Sequence, residues 1–169
     1  MNRTFTRILV PTDFSEPSDA ALEYAKALAE KFGASLHLLH VFEDPFATGA
    51  FAAEMYAPVP PDTRDAMIAD AKAHLVERVP DTDSARFFAT TEVVTGLSAR
   101  AIVDYAMTND IDLIVMGTHG RGGLAHLFMG SVAERVVRTA PCPVLAVHSP
   151  AIAAARAELA TKTAARAAA

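Results

Sequence analysis

The sequence predicts an α/β protein built on a doubly wound, five-stranded parallel sheet. Three observations predict it. Short β-rich runs alternate with segments of helical periodicity. Two of those runs, Ile8-Leu9-Val10 and Leu113-Ile114-Val115-Met116, are apolar without alternation, as strands covered on both faces are. A glycine-rich loop follows the fourth run, at a kind of strand-to-helix connection that often carries ligands in such sheets.

The β-rich runs are Arg7 to Pro11, Ser35 to Phe42, Arg86 to Val94, Asp112 to Gly117 and Val144 to His148. Between the first two, Leu22, Ala25, Leu28, Ala29 and Phe32 share one helical face, and Gly33 stops the pattern as a C-cap. Ile68, Ala71 and Leu75 mark a second helix after the proline-rich stretch Pro58 to Pro61. Ala99, Ile102, Val103 and Ala106 mark a third, with Ser98 as its expected N-cap. Val132 and Val136 mark a fourth, where Ser131 and Glu134 have the spacing of a capping box. The order is β-α-β-α-β-α-β-α-β. Parallel neighbours need helical crossovers, and those cover both faces of the sheet.

Two segments fall outside the pattern. Glu43 to Pro61 is a long connection rich in alanine, proline and aromatics, of a length usually functional or mobile. One domain over 1–149 is expected, followed by an alanine-rich tail over 150–169. Ile152 and Leu159 are nearly the tail's only large apolar residues, so it reads as a frayed helix or a disordered segment.

Composition narrows the function classes. A chain of 169 residues, 51 % of them apolar, can bury one sizeable core. The net charge of −5 disfavours non-specific binding to nucleic acid or to an anionic membrane. No apolar run reaches the length of a signal-peptide core or a membrane span. The single Cys142 cannot form an internal disulfide, and a cytoplasmic address is the default expectation.

The chemistry concentrates after the fourth strand, in Gly117-Thr118-His119-Gly120-Arg121-Gly122-Gly123 and then Gly130-Ser131. Four of the eight glycines lie between Gly117 and Gly123. Glycines let backbone N–H groups approach an anion closely, and a helix start adds unpaired donors and a positive dipole end. Strand, loop and helix start together suit phosphate. The same residues also read as a flexible loop with a serine N-cap, and loop and helix alone do not separate the two. No Gly-Lys-Ser/Thr is present, so a Walker-type loop is excluded. The second feature is Pro11-Thr12-Asp13, at the end of the first strand. If the strand order is 3-2-1-4-5, Asp13 and the glycine loop line one crevice from two sides. A carboxylate there can take a ribose hydroxyl or help hold Mg²⁺; the plainer alternative for Asp13 is a turn residue ahead of the helix.

Four stretches together resemble the universal stress protein family. They are Arg7-Ile-Leu-Val-Pro-Thr-Asp13, Asp112-Leu-Ile-Val-Met-Gly-Thr-His-Gly-Arg121, the spacing Gly117-x2-Gly120-x9-Gly130-Ser131, and Ala140-Pro-Cys-Pro-Val-Leu-Ala-Val147. The likeness covers residues 3 to 149. It implies a Rossmann-like fold of the adenine nucleotide alpha hydrolase type, with strand order 3-2-1-4-5, and commonly a homodimer. Every glycine of the family's ATP pattern is kept, which implies the ATP-binding subgroup; Mg²⁺ is expected to accompany the ATP, near the Asp13 carboxylate. By the same resemblance Pro11, Thr12 and Asp13 lie beside the adenosine, and Val41 offers backbone groups to adenine. Met116 and Gly117 flank the ribose. Gly120, Arg121, Gly130, Ser131 and Val132 surround the phosphates.

The expected activity is that of a regulatory ATP-binding module whose protein partner reads the nucleotide state. The alternatives are a slow ATPase or self-phosphorylating protein using Ser131 or Thr118, and a structural stress protein without nucleotide. No general base or arginine pair for efficient phosphoryl transfer is visible. Homodimerisation is expected through the last strand, Val144, Leu145, Ala146 and Val147, as an apolar edge. His37 and His40 alternate along a strand and cannot share a metal, so no metal site of protein ligands alone is expected. His119 and His126 flank the glycine loop without metal-ligand spacing. Cys142, between two prolines, reads as a packed thiol.

Overall fold

A computed structural model describes residues 4–43, 60–118 and 129–148. Five parallel strands form one sheet: β1 (Arg7–Thr12), β2 (Ser35–Phe42), β3 (Thr90–Thr95), β4 (Leu113–Gly117) and β5 (Val144–Val147). The order is β3-β2-β1-β4-β5, as expected. β1 pairs with β2 from Arg7↔Ser35 to Thr12↔His40, and with β4 at Ile8↔Leu113 and Leu9↔Ile114. The chain therefore winds outward from β1 to β3, then crosses back to start β4 on the other side of β1. The reversal leaves a crevice at the carboxyl ends of β1 and β4.

Alternation along the strands divides the core in two. Ile8, Val10, Leu36, Leu38, Leu113 and Val115 face α1 (Glu16–Phe32), α2 (Pro61–Arg78) and α3 (Asp81–Phe87). Leu9, Leu39, Ile114 and Met116 face α4 (Ser98–Thr108) and α5 (Ser131–Thr139). Both faces of β1 and β4 are buried, which is why these strands read as unbroken apolar runs. α1 ends where expected: Gly33 is left-handed at φ 66°, and its N–H returns to the Ala29 carbonyl.

Three local expectations are corrected. The run Arg86 to Val94 is not one strand; its first residues close α3, and the strand begins at Thr90. Pro80 as N-cap, with Asp81 and Asp83 in the first turn, favours a helix start there, and left-handed Phe88 ends it. Ser98 is not the N-cap of α4. Leu97 holds that position, and the Ser98 N–H donates to the Glu43 carboxylate at 2.8 Å. At α5 the N-cap is Gly130, so Ser131 is the first helical residue and no serine capping box forms. The connection over 44–59, the loop segment over 119–128 and the tail expected over 150–169 lie outside the described residues.

Candidate functional site

Strand direction decides what Pro11, Thr12 and Asp13 can do. Pro11 follows Leu9 by two, so it lies on the α4–α5 face and is buried there. Thr12 points the other way. Its hydroxyl is buried against α1, 3.0 Å from Ser18 Oγ, and accepts the Phe14 N–H at 3.0 Å. Only its backbone is left for the crevice side. Asp13, partly buried, builds an Asx-type turn: its Oδ1 accepts the Ser15 N–H at 3.2 Å and the Ser15 hydroxyl. Ser15 is the N-cap of α1, and Pro17 lies in its first turn. The turn role is thus the one the structure shows for the Asp13 carboxylate, just beyond the end of β1.

From the neighbouring strands, Val41 of β2 and Met116 of β4 lie on the same α4–α5 face and pack against its core. Gly117 does not share that direction. A Cβ built on it would meet the Pro17 carbonyl carbon and oxygen, each at 2.9 Å. The first turn of α1 therefore crosses the end of β4 at a distance that only glycine allows. The sequence pattern alone gave no hint of this packing role.

Thr118 ties the glycine loop to the sheet. Its side chain is almost wholly buried, at 1 % exposure. Its N–H donates to the Val147 carbonyl at 2.9 Å, and its carbonyl accepts the Gly130 N–H at 2.7 Å. Its hydroxyl lies 3.0 Å from His148 Nδ1. Gly130 thus spends its own N–H on closing the loop. The donors that α5 geometry leaves without an acceptor inside the helix are the N–H groups of Ser131, Val132 and Ala133. Ser131 and Val132 are exposed. Gly120 and Arg121, expected at the phosphates, lie outside the described residues, as do His119 and His126.

The donor set suits a nucleotide with its cation: helix-start N–H groups for anionic oxygens, and a carboxylate for a hydroxyl or a divalent ion. Cys142 is partly buried, and burial pushes its thiol pKa up, with the Asp112 charge adding to the effect, so it is a packed thiol. Sequence reasoning missed Phe14, His40 and Arg78, which cluster behind Asp13. No helix among the described residues is long and apolar enough to cross a membrane.

Comparison with known proteins places this arrangement. Residues 4–148 match the universal stress protein family. A universal stress protein of Methanocaldococcus jannaschii is 32 % identical over 151 residues, covering 86 % of this chain and 84 % of that protein. Among solved structures, universal stress protein UspA from Lactobacillus plantarum superposes with a TM-score of 0.74 at 34 % identity, covering 86 % of this chain and 99 % of that one. Two more distant structures share the fold. One is a universal stress protein in complex with cAMP, with TM-score 0.63, 23 % identity and coverage of 87 % and 99 %. The other is the Archaeoglobus fulgidus protein in complex with dAMP, with TM-score 0.58, 22 % identity and coverage of 86 % and 99 %. With its sheet order, its crevice and a match over nearly all described residues, this chain belongs to the universal stress protein family.

Proposed function

We propose that the chain binds an adenine nucleotide, ATP with Mg²⁺, at the carboxyl ends of β1 and β4, and works as a nucleotide-dependent regulatory module rather than as an enzyme. The observation that carries this is the reversal of strand order at β1 and β4, with Asp13 following the end of β1 and the start of α5 tied to Thr118 just after β4. In this reading Val41 backbone groups take adenine, and Pro11, the Thr12 backbone and Met116 line the nucleoside. Asp13 takes a ribose hydroxyl or the cation. The first N–H groups of α5, at Ser131 and Val132, take phosphate oxygens together with Gly120 and Arg121. Gly117 and Gly130 shape the approach. Mg²⁺ would neutralise phosphate charge there. That two family members bind cAMP and dAMP supports an adenine nucleotide as the ligand class.

The enzymatic alternative gains nothing from Thr118, whose buried hydroxyl is already engaged with His148. β5 ends the sheet with Leu145 exposed, and Val132 and Val137 of α5 are exposed as well. A second copy pairing antiparallel along β5 completes the proposal.

Calorimetric titration of nucleotide-stripped protein with MgATP, ADP, AMP and cAMP tests the reading. ATP at about 100 times its dissociation constant adds roughly 2.7 kcal/mol of stability. At about 2–4 °C per kcal/mol, the melting temperature rises by several degrees. Asp13→Ala binds more weakly while staying folded, and the same samples sediment as two chains. Neither heat nor thermal shift with any adenine nucleotide would overturn the proposal, and a strictly monomeric mass would remove its dimer.

A further inference from the structure

The residue after Asp13 holds a conformation that its side chain disfavours. Phe14 is left-handed at φ 65°, a region costly for a residue with a Cβ, so its surroundings must impose it. Those surroundings come from two other elements. Arg78, at the end of α2, lays its guanidinium 4.8 Å from the Phe14 ring centroid. Its Nε donates to Asp19 Oδ1 at 2.8 Å, one terminal nitrogen to the Phe14 carbonyl at 3.4 Å, and the other to the His74 carbonyl at 3.3 Å. His40 of β2 stacks its imidazole on the same phenyl ring, with centroids 4.4 Å apart and planes 24° apart. The His40 Nδ1 donates to the Thr12 carbonyl at 2.9 Å. With the Phe14 N–H held by the Thr12 hydroxyl, the backbone is fixed on both sides of Asp13: the Thr12 carbonyl, the Phe14 amide and the Phe14 carbonyl each have a partner.

We propose that Arg78, Phe14 and His40 form a clamp of positioning residues that aims Asp13 into the nucleotide crevice from behind. The inference rests on the adenine-nucleotide reading above. The clamp does not touch the ligand. Phe14 packs against the α1-side core, and His40, two residues from Leu38, lies on that same face, opposite Val41 and Met116. It acts through the peptide groups that flank Asp13. Arg78 suits this work because one planar fork stacks on a ring and bonds in three directions, which a lysine ammonium cannot do. The clamp also makes α2, which begins just after the 44–59 connection, part of the support of the site.

The test compares Arg78→Lys, Phe14→Leu and Phe14→Tyr with wild type, all stripped of nucleotide. MgATP affinity is read by calorimetry at a temperature where circular dichroism shows every variant fully folded. Lysine keeps the charge opposite Asp19 but loses the stacked fork, leucine keeps apolar volume but loses the ring, and tyrosine keeps the ring. The expected result is about a tenfold loss of affinity for the lysine and leucine variants, with affinity retained by Phe14→Tyr. A merely structural cluster would change melting temperatures and leave the affinity of the folded protein alone. Lysine and leucine variants that bind ATP as wild type does would overturn the clamp and leave the nucleotide reading standing. Wild type that binds no adenine nucleotide would overturn both.

Discussion

The two faces of the sheet end differently at the crevice. On the α1 face the strand ends are closed. Thr12, Ser18, Phe14, His40 and Arg78 interlock through side chains, and Gly117 lets Pro17 press onto β4. On the α4–α5 face the ends of β2 and β4 carry Val41 and Met116, which pack in the core that α5 joins from Ser131 on. There, the Gly130 N–H donates to the Thr118 carbonyl, and the buried Thr118 hydroxyl meets His148. The α1 face fixes the backbone behind the strand ends. The α1 face should therefore respond to substitution with lost stability, whether or not nucleotide is present.

The sharpest break is at Gly117. The resemblance to the family assigns this glycine to the ribose, but its Cα also faces Pro17, with no room for a β-carbon. Gly117→Val forces α1 and β4 apart. Overpacking of this kind costs about 1–3 kcal/mol, and more where backbone must move. At about 2–4 °C per kcal/mol, the nucleotide-free variant should melt many degrees below wild type. An unchanged melting temperature without nucleotide would mean that the contact relaxes freely, and the α1 face would lose its claim to be the rigid one.

A smaller effect is expected at Thr12. Thr12→Val keeps the shape of the side chain but removes the hydroxyl that meets Ser18 and accepts the Phe14 N–H. Groups left buried and unpaired cost about 1–3 kcal/mol, and some of this is recovered because Ser18 also donates to the Ser15 carbonyl. Chemical denaturation should show a lower midpoint at unchanged slope. A variant as stable as wild type would show that the Thr12 hydroxyl is dispensable to the closed face.

Much of this was legible in the sequence, for identifiable reasons. Five strands separated by helical stretches can form few parallel arrangements, and Pro11 to Asp13 and Met116 to Gly117 mark strand ends by composition alone. The direction of Thr12 was not legible. Both faces of β1 are buried, so polarity does not alternate and nothing in Ile8 to Thr12 says which side faces α1. Helix α3 was missed because seven residues with one buried side chain, Phe87, carry no periodic stripe. The clamp was missed because Arg78 stands 64 positions from Phe14, and no local pattern announces a left-handed phenylalanine. The packing role of Gly117 was hidden by a loop motif that already accounted for every glycine in it.

The smallest expected effect lies on the α4–α5 face, away from the crevice, and it depends on pH. His37 of β2 places Nδ1 3.1 Å from the Tyr105 hydroxyl of α4. Burial, and then the Arg7 charge, lower its pKa below 6.5, while Glu92 partly opposes them. Burial together with Glu92 pushes the Tyr105 pKa up to about 12, so the phenol stays neutral throughout the working range. For a histidine whose folded pKa lies below its unfolded one, the unfolded chain binds more protons between the two values. The stability that His37 supports is thus complete above about pH 6.5 and is lost as pH falls toward the folded value. His37→Gln keeps a polar group facing Tyr105 and removes the titration. Denaturant melts at about pH 7.5 and pH 5.5, which bracket the ordinary histidine value, should show a smaller acid-induced loss for the glutamine variant than for wild type. Every other histidine is the same in both proteins, so the difference between the two isolates His37. Equal losses would mean that α4 relaxes enough to hydrate the charged imidazole. This side of the sheet would then be soft at its base, and the contrast with the α1 face would deepen.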